Sequence, residues 1–157
     1  MEVTADRLAP ETGPLATSNT FGGGPTAEET LRATFDLAAV GIAHVAPDGR
    51  FLRVNQKLCD IFGLTRDQLL QYRFQKLTHP DDLAADLSLL RRLLAGEIPT
   101  FSMEKRYVRN DGKLIWADLS VSLARDDAGM PSYCISVVVD ITERKLAQEA
   151  LRESEAR

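Results

Sequence analysis

The sequence predicts an α+β fold in which an antiparallel sheet buries one of its faces. In residues 113–125, apolar residues alternate with polar ones, which is the pattern of a strand with one buried face. The flanking segments 100–109 and 132–140 are also strand-like, and turn residues separate all three. Two shorter strands are predicted earlier in the chain, and an amphipathic helix that begins at Pro80 lies between the two groups of strands.

A tail and two helices are predicted around the strands. Residues 1–25 are rich in Thr, Gly, Pro and Ala and contain only scattered apolar residues, which predicts a disordered tail. Thr26 and Glu29 have the spacing of a capping box, so an amphipathic helix is expected over 27–37. After Val139 the apolar period changes from two to about 3.6, which predicts an exit helix.

Turn and capping signals divide the first half of the chain. Strands are predicted over 40–46 and 50–54, because Pro47-Asp48-Gly49 between them is a turn signal. Asn55 is then expected to cap a helix that ends at Gly63. The later helix from Pro80 has an apolar stripe made of Leu83, Leu87, Leu90 and Leu94.

The register of the hairpin between residues 100–109 and 113–125 can be tested by matching apolar residues. A three-residue loop ending at Gly112 sets Met103 opposite Leu119, whereas a two-residue loop sets Glu104 there. Apolar matching therefore favours the three-residue loop with a glycine bulge. This register places Lys105 on the inner face of the sheet, and nothing else in the sequence accounts for a lysine there.

Charge and hydropathy argue against several classes of protein. The net charge of −4 and the lack of a long Lys/Arg run do not suit nucleic-acid binding. No apolar stretch approaches about 18 residues, so no membrane segment is expected, and residues 1–14 do not resemble a secretion signal. Cys59 and Cys134 are expected to be free buried thiols in a cytoplasmic protein. No CxxC or HxxxH pair offers a metal site.

Several short motifs occur in an order and spacing that resembles the PAS domain family. They are Val40-Gly41-Ile42, Pro47-Asp48-Gly49-Arg50, Asn55, Phe62-Gly63, His79-Pro80-Asp81-Asp82, Asn110-Asp111-Gly112 before Trp116, and Asp140-Ile141-Thr142-Glu143-Arg144-Lys145. The resemblance implies a five-stranded antiparallel sheet of order 2-1-5-4-3, with helices on one face that enclose a cavity. It places the sensor domain at 26–140 and a connector or coiled-coil helix at 141–157.

The resemblance also implies a function. PAS domains are sensory modules of histidine kinases, cyclic-di-GMP enzymes and other regulators, so the chain is expected to be the N-terminal sensor domain of a bacterial signalling protein. It would detect a small ligand or a partner and pass the signal through its C-terminal helix to a histidine kinase or diguanylate cyclase. Two alternatives stay open: a ligand-free dimerisation and interaction module, and a sensor that holds a flavin without a covalent bond. Enzymatic activity is not expected, because Glu104, Arg106 and Asp118 do not form a recognisable base and nucleophile.

Ten mostly apolar side chains are candidates for the lining of a ligand cavity, or alternatively for a filled core. They are Phe62, Phe74, Leu87, Leu90, Met103, Tyr107, Ile115, Leu119, Tyr133 and Ile135. The hydroxyl groups of Tyr107 and Tyr133 would supply polar contacts in such a cavity.

The identity of any cofactor stays open, but two kinds are argued against. Haem-binding relatives place an axial histidine within the long helix, and residues 83–94 contain none. His44 and His79 are therefore interpreted as structural or surface residues. Flavin photoreceptors of this fold carry a cysteine in the segment that matches 71–77, which has no cysteine here, so Cys59 is expected to pack in the core.

Two further groups of residues are candidates for signalling contacts. Trp116 falls on the outer face of the sheet and needs cover, which the helix around Leu31 and Phe35 or a second subunit would supply. Packing that also contributes to a homodimer is favoured. Asp140 and Thr142 can each cap the exit helix, and with Ile141 they form the junction that the resemblance assigns to signal relay.

Overall fold

The computed structural model describes residues 24–156, which divide between Thr34 and Phe35 into two units. Of the first unit it describes residues 24–34. Helix α1 (Ala27–Leu37) begins in these residues and has the predicted bounds. The capping box is confirmed, since the Glu29 N–H donates to Thr26 Oγ1 at 3.0 Å and the Thr26 N–H donates to Glu29 Oε1 at 2.8 Å. Nearly all of the predicted tail lies outside the described residues.

The second unit is built on a five-stranded antiparallel sheet with the order β2-β1-β5-β4-β3, which confirms the fold class. The strands are β1 (Gly41–Val45), β2 (Phe51–Val54), β3 (Thr100–Val108), β4 (Leu114–Arg125) and β5 (Pro131–Asp140). The helices are α2 (Gln56–Phe62), α3 (Arg66–Leu69), α4 (Phe74–Leu77), α5 (Pro80–Leu94) and α6 (Thr142–Glu155). Helices α2 to α5 lie between β2 and β3 in the chain and pack their buried residues into one core with the inner face of the sheet.

The hairpin between β3 and β4 has the register that apolar matching predicted. Met103 lies opposite Leu119, and the Arg109 N–H donates to the Lys113 carbonyl across a three-residue loop at 2.7 Å. Gly112 has a φ of 88°, a conformation that side-chain-bearing residues rarely adopt. Lys105 is therefore on the inner face, opposite Ala117.

Capping signals in the first half of the chain are also confirmed. The Asn55 side chain accepts a hydrogen bond from the Leu58 N–H and so caps α2, which ends at Gly63 in the left-handed conformation. The amide group of Asn55 additionally donates to the carbonyls of Phe35 and Val40, at 2.8 and 3.0 Å. A single buried amide thereby joins the end of α1, the approach to β1 and the start of α2.

The apolar stripe predicted for α5 is partly wrong. Its buried residues are Asp86, Leu90 and Leu93, at positions i, i+4 and i+7 of one face, whereas Leu83 and Leu87 are only partly buried. The reason is electrostatic, because Asp86 pairs with Lys105 inside the domain and a buried carboxylate needs such a partner.

Candidate functional site

A small cavity lies between the inner face of the sheet and helices α2, α4 and α5, with a volume of about 30 Å³. A cavity needs roughly 10–15 Å³ to hold one water molecule, so this space holds about two or three. Five of the ten residues predicted to line a cavity do line it: Phe62, Phe74, Leu90, Tyr107 and Leu119. The cavity is mainly apolar, and its polar lining includes Asp86 and Ser136.

The other five predicted residues lie elsewhere. Tyr133 and Ile135 were assigned to the wrong face of β5, since the cavity is lined from that strand by Cys134, Ser136 and Val138. Side chains alternate along a strand, so an error of one residue moves every side chain to the other face. Tyr133 instead packs against His44, with 4.8 Å between ring centroids.

The remaining three miss the cavity for other reasons. Leu87 is only partly buried and does not line the cavity, to which α5 contributes Asp86 and Leu90 instead. Ile115 is buried in the core without reaching the cavity, and Met103 is a partly buried residue packed against that core.

Beside the cavity lies a buried ion pair that the sequence did not predict. Lys105 is 0% exposed, and its ammonium group donates to the Asp86 carboxylate and, at 2.8 Å, to Thr78 Oγ1. The same nitrogen lies 4.3 Å from the ring centroid of Tyr107 and 5.2 Å from that of Phe74. Burial lowers the pKa of Lys105, and the Asp86 carboxylate opposes that shift. The only signal in the sequence was the inward position of Lys105, for which the sequence offered no explanation.

The junction between β5 and α6 is closely bonded to β4. Ile141 is buried, and its N–H donates to the Trp116 carbonyl at 2.9 Å. The Thr142 hydroxyl oxygen accepts from the Trp116 N–H at 3.0 Å, and the hydroxyl donates to Asp140 Oδ1 at 2.6 Å. Thr142 does not cap α6 as predicted, because Ile141 is the N-cap and makes no side-chain cap. The Asp140 carboxylate does accept from the backbone N–H of Thr142, the first residue of α6, at 3.0 Å.

The first turn of α6 is also held by charged groups on the outer face of the sheet. Glu104 of β3 pairs with Arg144 at 2.7 Å and with Lys145 at 2.5 Å. The hydrogen bond from Lys145 is the largest cause of the lowered pKa of Glu104. Lys145 Nζ further lies 4.7 Å from the ring centroid of Trp116, and the guanidinium of Arg106 lies 5.3 Å from it. Trp116 is thus flanked by two cations, one of them on α6.

Two covers were predicted for Trp116, the helix around Leu31 and Phe35 or a second subunit, and Phe35 lies elsewhere. It packs against His44 on β1, with 5.8 Å between ring centroids, and the Arg53 guanidinium lies 4.3 Å from its ring. In the sheet order, β1 is separated from β4 by β5, so Phe35 covers a different part of the outer face. Leu31, in the other unit, is 70% exposed.

The histidines and cysteines occupy structural positions. His79 caps α5, since its Nδ1 accepts from the Asp81 N–H at 3.1 Å. Burial, and secondarily Arg53, lowers the pKa of His44 on β1. Cys59 and Cys134 are free and buried, and burial raises the pKa of each thiol.

The sheet order 2-1-5-4-3 with helices over one face is the architecture that the resemblance to PAS domains implied. Residues 38–143 match the PAS domain family. The chain belongs to this family, as its motifs indicated. Among residues 24–156, no helix combines the length and apolar character needed to cross a membrane.

Relatives of known class share this domain. Over 122 residues, or 78% of this chain, the sequence is 40% identical to the probable diguanylate cyclase DgcE of Escherichia coli. Over 126 residues, or 80% of this chain, it is 32% identical to the sensor histidine kinase TmoS of Ectopseudomonas mendocina. The matched segments span 11% and 13% of the lengths of these two relatives.

A solved structure agrees with the fold. A sensory box histidine kinase/response regulator from Burkholderia thailandensis is 26% identical, with a TM-score of 0.63, and the match covers 82% of this chain and 96% of that one. The domain is therefore a PAS sensory module of the kind found in sensor kinases and diguanylate cyclases.

Proposed function

We propose that this PAS domain is a signal input module whose internal state is passed through α6 to a following output domain. The observation that carries the proposal is the attachment of the first turn of α6 to two strands at once. Thr142 is bonded to the backbone of Trp116 in β4. Arg144 and Lys145 are paired with Glu104 in β3. A shift of either strand would therefore displace the start of α6.

Strand β3 links the cavity side of the sheet with the exit helix. Because side chains alternate along a strand, Lys105 points inward to Asp86 on α5, whereas Glu104 points outward to α6. The next residue, Arg106, binds Asp82 at the start of α5 through its backbone N–H at 2.7 Å and through its guanidinium at 2.8 and 3.0 Å. Three consecutive residues of one strand thus contact both helices.

This arrangement suits transmission by a population shift. A ligand that binds one arrangement of α5 and β3 more tightly than another would shift the population toward that arrangement. The free energy of this shift is at most the difference between its binding free energies for the two arrangements. Exposed ion pairs such as those of Glu104 contribute only about 0.2–1 kcal/mol each, so the junction can rearrange at modest cost. A difference of about 1.4 kcal/mol is enough to change the population ratio tenfold.

The output domain is proposed from the relatives. A diguanylate cyclase and a histidine kinase both carry a domain similar to this one in a small part of their length. We propose that the following domain is of one of these two classes, and that the PAS domain itself has no catalytic role.

A domain replacement tests transmission. The segment of E. coli DgcE that matches this chain would be replaced by this chain, and cyclic-di-GMP formation by the hybrid would be measured. Glu104→Gln is expected to change the rate at least threefold, because it weakens the contact between β3 and α6 without altering the core. The matched control is Glu97→Gln, which weakens an exposed ion pair with Arg92 away from α6. Equal rates for wild type and both variants would contradict the proposal.

A ligand-free interaction module is the second candidate, and the small volume of the cavity favours it. Leu146 and Leu151 on α6 are 58% and 60% exposed. A short isolated helix is only marginally stable in water, so partner packing along α6 is expected. The proposal includes a homodimer in the cytoplasm, with the predicted outer-face residues Leu31, Phe35 and Trp116 contributing. A flavin sensor is the alternative that a cavity of about 30 Å³ favours least.

Sedimentation velocity tests the dimer. Leu151→Ser and Trp116→Ala should each shift a dimer toward monomer, and Leu52→Ser, at an exposed leucine on β2, is the control. A profile that both variants leave unchanged would count against a dimer built on α6 and the outer face.

A further inference from the structure

We infer that the cavity binds a small neutral molecule that donates a hydrogen bond to Asp86, such as a short-chain alcohol. The inference rests on the proposed sensory function, since it names the chemical class of the ligand. It is carried by the hydrogen bonding of Asp86, by the charge balance of the buried ion pair and by the size of the space.

Asp86 has a free acceptor at the cavity. Asp86 is 2% exposed and lines the cavity. Within residues 24–156, its one recorded side-chain hydrogen bond is between Oδ2 and Lys105. The second carboxylate oxygen has lone pairs that no donor in this part of the chain occupies. A hydrogen bond to an ionised oxygen is stronger than one between neutral groups, so a donor placed in the cavity would be stabilised there.

The charge balance selects a neutral ligand. Lys105 and Asp86 sum to zero net charge whichever of them holds the proton. A carboxylate ligand would have to displace Asp86 from Lys105 and leave a buried charge unpaired, which is strongly destabilising. An ammonium ligand would bring an additional positive charge beside Lys105. A hydroxyl group satisfies the free oxygen of Asp86 and leaves the ion pair intact.

The size and lining limit the rest of the molecule. The space of about 30 Å³ is walled mainly by apolar side chains, including Leu90, Leu119 and Val138. A short alkyl group fits such walls, whereas a second polar group would lack a partner except near Ser136. Ethanol, with a single donor and two carbons, is therefore a suitable probe.

NMR titration of the 15N-labelled chain compares ethanol with acetonitrile, acetate and ethylammonium. Acetonitrile has the same number of heavy atoms as ethanol but no donor. Ethanol should give saturable shifts at the amides of Asp86 and Ser136, with an affinity at least tenfold higher than that of acetonitrile. Acetate and ethylammonium should give no saturable shift over the same concentrations. Equal affinity for ethanol and acetonitrile, tighter binding of a charged probe, or no saturable ethanol shift would overturn the inference.

Two variants test whether ethanol binds in this cavity. Ser136→Val fills the space without touching the ion pair and should weaken ethanol binding at least tenfold. Ser122→Val, the same change at an exposed position of the sheet, is the matched control. Asp86→Leu combined with Lys105→Met removes the acceptor together with its partner charge, and should lower the affinity for ethanol to that for acetonitrile. Unchanged ethanol binding in Ser136→Val would overturn the assignment to this cavity.

The result of the ethanol titration can be distinguished from the result of the Glu104→Gln experiment in the DgcE hybrid. If ethanol fails to bind while Glu104→Gln alters cyclase output, the ligand class is wrong and transmission through α6 stands. If ethanol binds and Glu104→Gln has no effect, the cavity assignment stands and transmission through α6 is wrong.

Discussion

The hydroxyl oxygen of Thr142 accepts a hydrogen bond from the backbone N–H of Trp116 at 3.0 Å. This bond attaches the first residue of α6 to strand β4, 26 positions away in the sequence. Together with the bond from the Ile141 N–H to the Trp116 carbonyl, it continues the pairing of the sheet into the start of the helix. The orientation of α6 therefore depends on the position of β4.

Thr142→Val removes this acceptor and keeps the side-chain shape. A typical hydrogen bond contributes about 0.5–1.5 kcal/mol, so the first turn of α6 should open more readily. Hydrogen exchange of the backbone amides in 142–146 should become about fivefold faster. Ser122→Ala, which removes an exposed hydroxyl from β4, is the control. Unchanged exchange rates in Thr142→Val would show that the bond does not hold the helix.

Asp140→Ala should uncouple the output while leaving the domain folded. Its carboxylate accepts from both the N–H and the hydroxyl of Thr142, at 3.0 and 2.6 Å, and so leaves the hydroxyl oxygen free to accept from the Trp116 N–H. In the DgcE hybrid, the response to Glu104→Gln should shrink at least twofold in the Asp140→Ala background. Circular dichroism and thermal unfolding of the isolated chain report on folding. Full response in that background would defeat the relay role of Asp140.

The buried pair of Lys105 and Asp86 can be tested by a double-mutant cycle. Lys105→Met leaves the Asp86 carboxylate buried without its partner and should lower the free energy of unfolding by about 3–5 kcal/mol. Adding Asp86→Leu should restore stability to within about 1 kcal/mol of wild type or above it, because apolar replacement of a buried pair is often neutral or stabilising. Urea denaturation measures both.

The control for that cycle is an exposed pair. Arg92→Met, which removes a contact with Glu97 at 3.6 Å, should cost less than about 1 kcal/mol. If the effects of Lys105→Met and Asp86→Leu simply add in the double variant, the two residues do not act as a buried pair.

Acid stability should depend on Asp82. The hydrogen bond from the Arg106 side chain lowers the pKa of the Asp82 carboxyl below that of a free aspartate. A carboxyl with a depressed folded-state pKa stabilises the fold above its unfolded-state pKa of about 3.9, and this stability is lost as the pH falls through the lower folded-state pKa. Asp82→Asn should therefore lose less stability than wild type between about pH 4 and pH 2.

Urea denaturation at a series of pH values checks this prediction. Asp81→Asn is the control, because Asp81 is 75% exposed and lies 3.9 Å from the Arg106 guanidinium. It should follow the wild-type pH dependence. If Asp82→Asn follows it too, the ion pair with Arg106 does not contribute to acid stability.

Local signals were sufficient for much of the fold. Asn55 as a helix cap and the three-residue loop at Gly112 were predicted from the sequence and are confirmed, because the groups that form them are neighbours along the chain. The strand order followed from the resemblance to PAS domains, whose motifs run through the same segments. Five of the ten proposed residues line the cavity, and two of them, Tyr107 and Leu119, lie on the inner faces of β3 and β4, which period-two alternation identifies.

What the sequence determined by itself was the set of strands, the caps of α1 and α2, the hairpin register and the inward position of Lys105. Only the tertiary structure decided which acid meets Lys105, which face of β5 is internal and which strands hold α6. Asp86 lies 19 positions from Lys105 and Arg144 lies 40 from Glu104, so these pairs depend on how the chain is packed. Capping and turn formation act within a few residues, whereas pairing a buried charge requires a partner that only folding brings near.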